Sequence, residues 1–171
     1  MTATILRTIA LAWAALFFLV GQAHAQSARD ALAALCPTAR IDASLIEAAA
    51  DESRVPAVVL VAQMVPESSC GVKLVNVRTG ALGLLQVMPG RSADPDHLER
   101  DELLDPETNV RLGARHLRRC LNLCGTLPAG LHVFHGGKKC REWRGDRYVK
   151  RVLGLVARAK RVIARMQAAR S

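Results

Sequence analysis

The sequence predicts a mainly α, single-domain protein stapled by disulfides. Three observations carry that expectation. Apolar residues recur at helical spacing in segments opened by Asp, Ser or Pro. Residues 26–171 are enough chain for one hydrophobic core and not for two. All five cysteines, Cys36, Cys70, Cys120, Cys124 and Cys140, fall inside that stretch.

Residues 1–25 read as a signal peptide. Arg7 supplies the positive start, Ile9 to Val20 is an apolar run too short to span a bilayer comfortably, and Ala23-His24-Ala25 is a small-x-small cleavage site. Cleavage after Ala25 leaves Gln26 first; the alternative is an uncleaved N-terminal anchor, and either way the rest is exported. Loss of Arg7 with the leader lowers the formal charge from +9 to +8. A chain this basic is drawn to anionic surfaces, of which cell-wall polymer, lipid headgroups and nucleic acid are the choices. Export and the lack of a zinc-finger pattern or of aromatics among the basic residues set nucleic acid aside. No cofactor motif or metal-ligand spacing is present. In an oxidising compartment the cysteines pair and leave one over. Cys120 and Cys124 share a helix face, where a mutual bridge strains the helix, so partners such as Cys140 or Cys36 are expected.

Taken in order, Asp42-Ala43-Ser44 caps a helix with the apolar face Leu45, Ile46, Ala49 and Ala50. Arg54-Val55-Pro56 breaks it. A second helix from Ala57 to about Val65 is apolar all round, hence buried, and is expected to stop at Pro66, which lacks the amide hydrogen to continue. Glu67 then stands at the exposed end of a buried helix, where desolvation raises a carboxyl pKa without closing off access. Short strands are expected around Leu74 and Val77, and helix again over Gly83–Met88 until Pro89-Gly90. Arg91–Arg100 is a polar loop. Asp105-Pro106 opens a helix with Val110, Leu112, Leu117 and Leu121 inward. A shorter helix spans about Leu127–Phe134, before the turn Gly136-Gly137. The last, Arg147–Arg170, has an apolar face of Val149, Val152, Leu153, Val156, Ile163 and Met166, and eight Lys or Arg with no acid. It reads as an amphipathic helix docked on the core with its basic face in water; the alternative is a membrane- or partner-binding surface.

The order of motifs resembles the soluble lytic transglycosylases of the lysozyme-like superfamily. The matching pieces are Glu67-Ser68, Gly80-Ala81-Leu82-Gly83-Leu84-Leu85-Gln86-Val87-Met88-Pro89, Asp105-Pro106-Glu107-Thr108-Asn109 with Gly113, Phe134-His135-Gly136-Gly137, and Tyr148-Val149 with Val152. Any one is weak, and five in order over Ile41–Val156 are specific. The resemblance implies a lysozyme-like α+β single domain with a substrate groove. It implies Glu67 as sole catalytic acid, cleaving the MurNAc-β-1,4-GlcNAc bond of peptidoglycan with a 1,6-anhydromuramoyl end as product. Ser68, Gln86, Met88, Phe134 and His135 are then substrate-binding residues, and Tyr148 orients the acid.

A hydrolytic muramidase on the same fold needs a second carboxylate roughly 6.5–9.5 Å from the acid. Cys70 to Leu82 contains no Asp or Glu, which favours the non-hydrolytic reaction and leaves Asp94 or Asp96 as the alternative. Three departures from the family pattern stand out: Pro66 directly before Glu67, Val77 where a Ser is common, and Phe134-His135 where Tyr-Asn is common. They raise a third alternative, a catalytically weakened wall-binding or secretion-assembly protein. The expected partner is peptidoglycan, with a secretion or conjugation apparatus as a further one, and the expected state is a periplasmic monomer.

Overall fold

A computed structural model describes residues 28–169. The expected signal peptide, residues 1–25, lies outside them. The described chain is helical with almost no strand. Helix α1 covers residues 28–35; then follow α2 Ala43–Ser53, α3 Ala57–Ser68, α4 Arg100–Leu104, α5 Pro106–Cys124, α6 Leu127–Phe134, a 3-10 turn over Cys140–Gly145, and α7 Arg147–Ala168. No described helix is long and apolar enough to cross a membrane.

Helix α3 is the centre because its sequence leaves it no polar face. Leu60, Val61, Ala62, Gln63 and Met64 are all fully buried, and each large apolar side chain so placed contributes about 1.5–3 kcal/mol. Helix α7 packs on α3, while α5 packs on α2 and α6. The inward residues of α7 are Val149, Val152 and Val156, and its Lys and Arg residues are exposed. This is the docked amphipathic arrangement. Leu82, Val87, Ala93, Leu103 and Leu112 form a second, smaller core beneath the loops between α3 and α5.

Several elements differ from expectation. Helix α3 does not stop at Pro66 but runs through it to Ser68. A proline in a last turn removes a single ladder bond. The bonds from Ser69 N to the Val65 carbonyl (3.2 Å) and from Cys70 N to the Met64 carbonyl (3.0 Å) close the end. Residues 83–88 are not helical. Leu82 and Val87 instead exchange both backbone bonds, at 2.9 and 2.8 Å, around a turn with left-handed Gly83 and Gln86. Nor do strands form at Leu74 and Val77; a lone bridge joins Val75 to Leu82. Two elements were not expected: α1, although Ala28, Ala31, Leu32 and Leu35 stand at helical spacing, and α4, whose five residues are too few to show a period.

Cys36 bonds Cys70, and Cys124 bonds Cys140. Cys120 is the buried free thiol. The first bridge ties the end of α1 to the turn directly after α3, so it anchors the chain three residues from Glu67.

Candidate active site

Glu67 projects from the last turn of α3, where the central helix reaches a cavity of about 480 Å³. Its side chain is only 11% exposed. One carboxyl oxygen, Oε1, is buried without a hydrogen-bond partner among the described residues. Burial therefore pushes the Glu67 carboxyl up to about 7, partly offset by a hydrogen bond from the Tyr148 hydroxyl. Such a group holds a proton at neutral pH and can release it there.

The N-terminus of α7 holds the groups behind that acid. Asp146 caps the helix by accepting from Tyr148 N at 2.8 Å, and its other oxygen accepts from His132 Nδ1 at 2.6 Å. Burial alone favours the neutral Asp146, yet these bonds outweigh it and hold the carboxyl below its ordinary value. Gly137 lies against the His132 ring, where a Cβ would come within 2.3 Å of it. The Tyr148 hydroxyl accepts from Gln63 Nε2 at 3.1 Å. On its face, His135 stacks with ring centroids 4.0 Å apart and planes 2° from parallel. His135 Nδ1 lies 4.0 Å from Glu67 Oε1. Burial lowers the His135 pKa, against the pull of Asp146, so the ring facing Glu67 is neutral at pH 7.

The facing wall is the Gly80–Pro89 segment, and Asn109 gives it its shape. Fully buried on α5, Asn109 donates to the carbonyls of Leu82 (2.9 Å) and Leu103 (2.7 Å) and accepts from Leu85 N (2.8 Å). These bonds replace those a helix would have made. Gly83 is obligatory: its φ is +77° and a Cβ there would lie 2.0 Å from the Asn109 amide.

Glu67, Gln86, Met88, Phe134 and His135 thus line one cavity. Gln86 spends both hydrogen bonds of its amide nitrogen on its own loop, donating to Gly83 O at 2.9 Å and Lys73 O at 3.4 Å. Tyr148 is buried behind the acid rather than lining the cavity. Ser68 is fully buried and away from the cavity; its hydroxyl donates to the Met64 carbonyl and accepts from Gly71 N at 3.0 Å. Glu67 is the one carboxylate among the lining residues. Asp94, a candidate second carboxylate, is buried and closes its own loop by accepting from Gly90 N (2.9 Å) and Leu98 N (3.0 Å). Asp96 is exposed and does not line the cavity either.

Sequence reasoning did not single out Gln63, His116, His132 or Asp146. Asp146 alone carried a signal, as a capping residue before the apolar pattern of α7. His116, on α5, lines the cavity and meets Phe134 with ring centroids 5.2 Å apart; burial pushes its imidazole down to about 4.

The family profile "Transglycosylase SLT domain" matches residues 44–151. No curated protein and no solved structure gives a significant match.

Proposed function

The chain belongs to the transglycosylase SLT domain family, the lysozyme-like soluble lytic transglycosylases, and from that premise we propose how it cleaves peptidoglycan. Glu67, whose pKa of about 7 keeps a large protonated fraction at neutral pH, gives its proton to the oxygen between N-acetylmuramic acid and N-acetylglucosamine as that bond breaks. The carboxylate left behind takes the proton of the muramic acid 6-hydroxyl while its oxygen bonds to the anomeric carbon. The product is a 1,6-anhydromuramoyl end, and no water is consumed. One group serves as acid and then base, which requires a carboxyl poised near the working pH.

The observation that carries this reading is a nearly buried Glu67 with its pKa raised to about 7, alone among the cavity's lining residues in bearing a carboxylate. Hydrolysis by inversion needs a second one to activate water. Gln86, Met88, Phe134 and His135 bind the sugars, the Phe134 ring by stacking. Tyr148 orients the acid, while Ser68 contributes indirectly by fixing the turn that follows it. On this reading residues 1–25 are a signal peptide, and residues 26–171 work as a monomer in the periplasm. The compact chain suits local opening of the wall for a secretion or conjugation apparatus.

The test is release of soluble muropeptides from purified peptidoglycan by wild type and Glu67→Gln. Wild type should release them and the variant should not. Equal release by the two would end the enzyme reading.

A further inference from the structure

The cavity beside Glu67 carries positive charge that the fold does not neutralise. Arg78 and Arg91 both line it and both are exposed. Neither guanidinium has a hydrogen bond or ion pair among the described residues. Three arginines of α5 are engaged by the fold: Arg115 pairs with Glu52 at 2.7 Å, Arg118 donates to the Ser53 carbonyl at 2.6 Å, and Arg119 donates to the Ser92 carbonyl. The single carboxyl in the lining, Glu67, has its pKa raised to about 7, so at pH 7 it balances only part of the charge of the two cations.

Both arginines stand on fixed backbone. Asn76 Oδ1 accepts from Arg78 N and Thr79 N, each at 3.2 Å, which locks the turn carrying Arg78. Arg91 N donates to the Met88 carbonyl at 3.2 Å, and Asp94 closes the loop beyond. Two guanidinium groups, from two separate loops, are therefore held at one cavity without partners. Their planar donor forks match a carboxylate in two-point geometry. Sugar hydroxyls and acetamido groups offer such cations nothing comparable.

We propose that Arg78 and Arg91 form a carboxylate-binding rim that holds acidic groups carried by the muramic acid residues of the glycan. The site thereby selects anionic strands over neutral ones. This rests on the reading of the cavity as a peptidoglycan-cleaving site. The carboxylates come either from stem peptides or from the free lactyl group of muramic acid lacking a peptide.

The full chain is assayed on three materials: peptide-bearing strands, the same strands with their carboxylates amidated, and strands stripped of peptides, which expose the lactyl carboxylate. For wild type, kcat/KM should favour the first over the second by about tenfold, roughly threefold for each exposed arginine. Arg78→Gln with Arg91→Gln should bring that ratio to about one, through KM rather than kcat. A wild-type rate on the stripped strands matching that on peptide-bearing ones shows that the rim takes the lactyl carboxylate as well; a rate no better than on amidated strands confines it to stem-peptide carboxylates. Equal rates on native and amidated strands, or a ratio that survives the double substitution, overturn the proposal. Sedimentation of Glu67→Gln with the same insoluble materials, with and without the arginine substitutions, reads the same preference without catalysis. If wild type cleaves none of the three, the functional reading falls while the binding comparison still judges the rim.

Discussion

Glu67 costs stability at neutral pH, and the proposed reaction uses the same property of the group. Its carboxyl ionises near 4.5 in the unfolded chain and near 7 in the fold. The folded state therefore keeps a proton that the unfolded state has lost across that window, and stability falls as pH rises from 4.5 to 7 and stays lower above. The cost amounts to about 3 kcal/mol at pH 8. Glu67→Gln should remove this pH dependence. Thermal melts of variant and wild type should diverge between pH 4.5 and pH 8, with the variant gaining; a constant gap would mean that the carboxyl is not desolvated. Tyr148 gives a second handle. Its hydrogen bond lowers the Glu67 pKa, so Tyr148→Phe should raise it further. The alkaline limb of kcat, where Glu67 loses its proton, should then move to higher pH as the rate drops. An unmoved limb would show that the hydroxyl does not touch the acid.

At the scale of elements, three helices, α2, α5 and α7, begin with an Asp cap, and the first and last make the useful comparison. Asp42 caps α2 by accepting from Ser44 N at 2.9 Å, far from the cavity, and Asp146 caps α7 behind Glu67. Replacing either with Ala should lower the melting temperature, and Asp146→Ala should cost about 1 kcal/mol. Asp146→Ala should in addition lower kcat by an order of magnitude or more, because Tyr148 and His132 lose their anchor; Asp42→Ala should leave kcat near wild type. Matching activity in the two variants would mean that the α7 cap has no part in holding the acid. Helices with strong apolar patterns were legible in the sequence: α2 and α5 begin at the Asp and Pro starts it shows, and α6 and α7 begin where their apolar spans do. The Gly80–Pro89 wall was legible as a motif but not as a shape. Its apolar run suits a helix, and what forbids one is Asn109, 23 residues beyond Gln86 in the chain, whose side chain takes the place of the ladder. Long-range side-chain bonds of that kind leave no local periodicity. Ser68 shows the converse: adjacent to Glu67 in sequence, it turns to the other side of the helix.

For the whole molecule, a basic exterior borders a cavity with one carboxyl among its lining residues. Helix α7 presents its cations to solvent, and Arg78 and Arg91 extend the positive charge to the cavity itself. On the proposed function, this charge draws anionic wall polymer toward a site whose one lining carboxyl has its pKa raised by burial. The two disulfides fix the periphery of this arrangement. Cys36–Cys70 holds the chain leaving Glu67, and Cys124–Cys140 joins the end of α5 to the 3-10 turn leading into Asp146. Both bridges thus border the segments that place the acid and its supports. In the proposed reaction Glu67 works without a partner carboxylate, so that the substrate's own hydroxyl and not water closes the reaction. Digestion of purified peptidoglycan in ¹⁸O-labelled water, followed by mass spectrometry of the released muropeptides, tests it most directly. The account predicts unlabelled products one water lighter than the hydrolysed forms; muropeptides with reducing ends carrying ¹⁸O would contradict it.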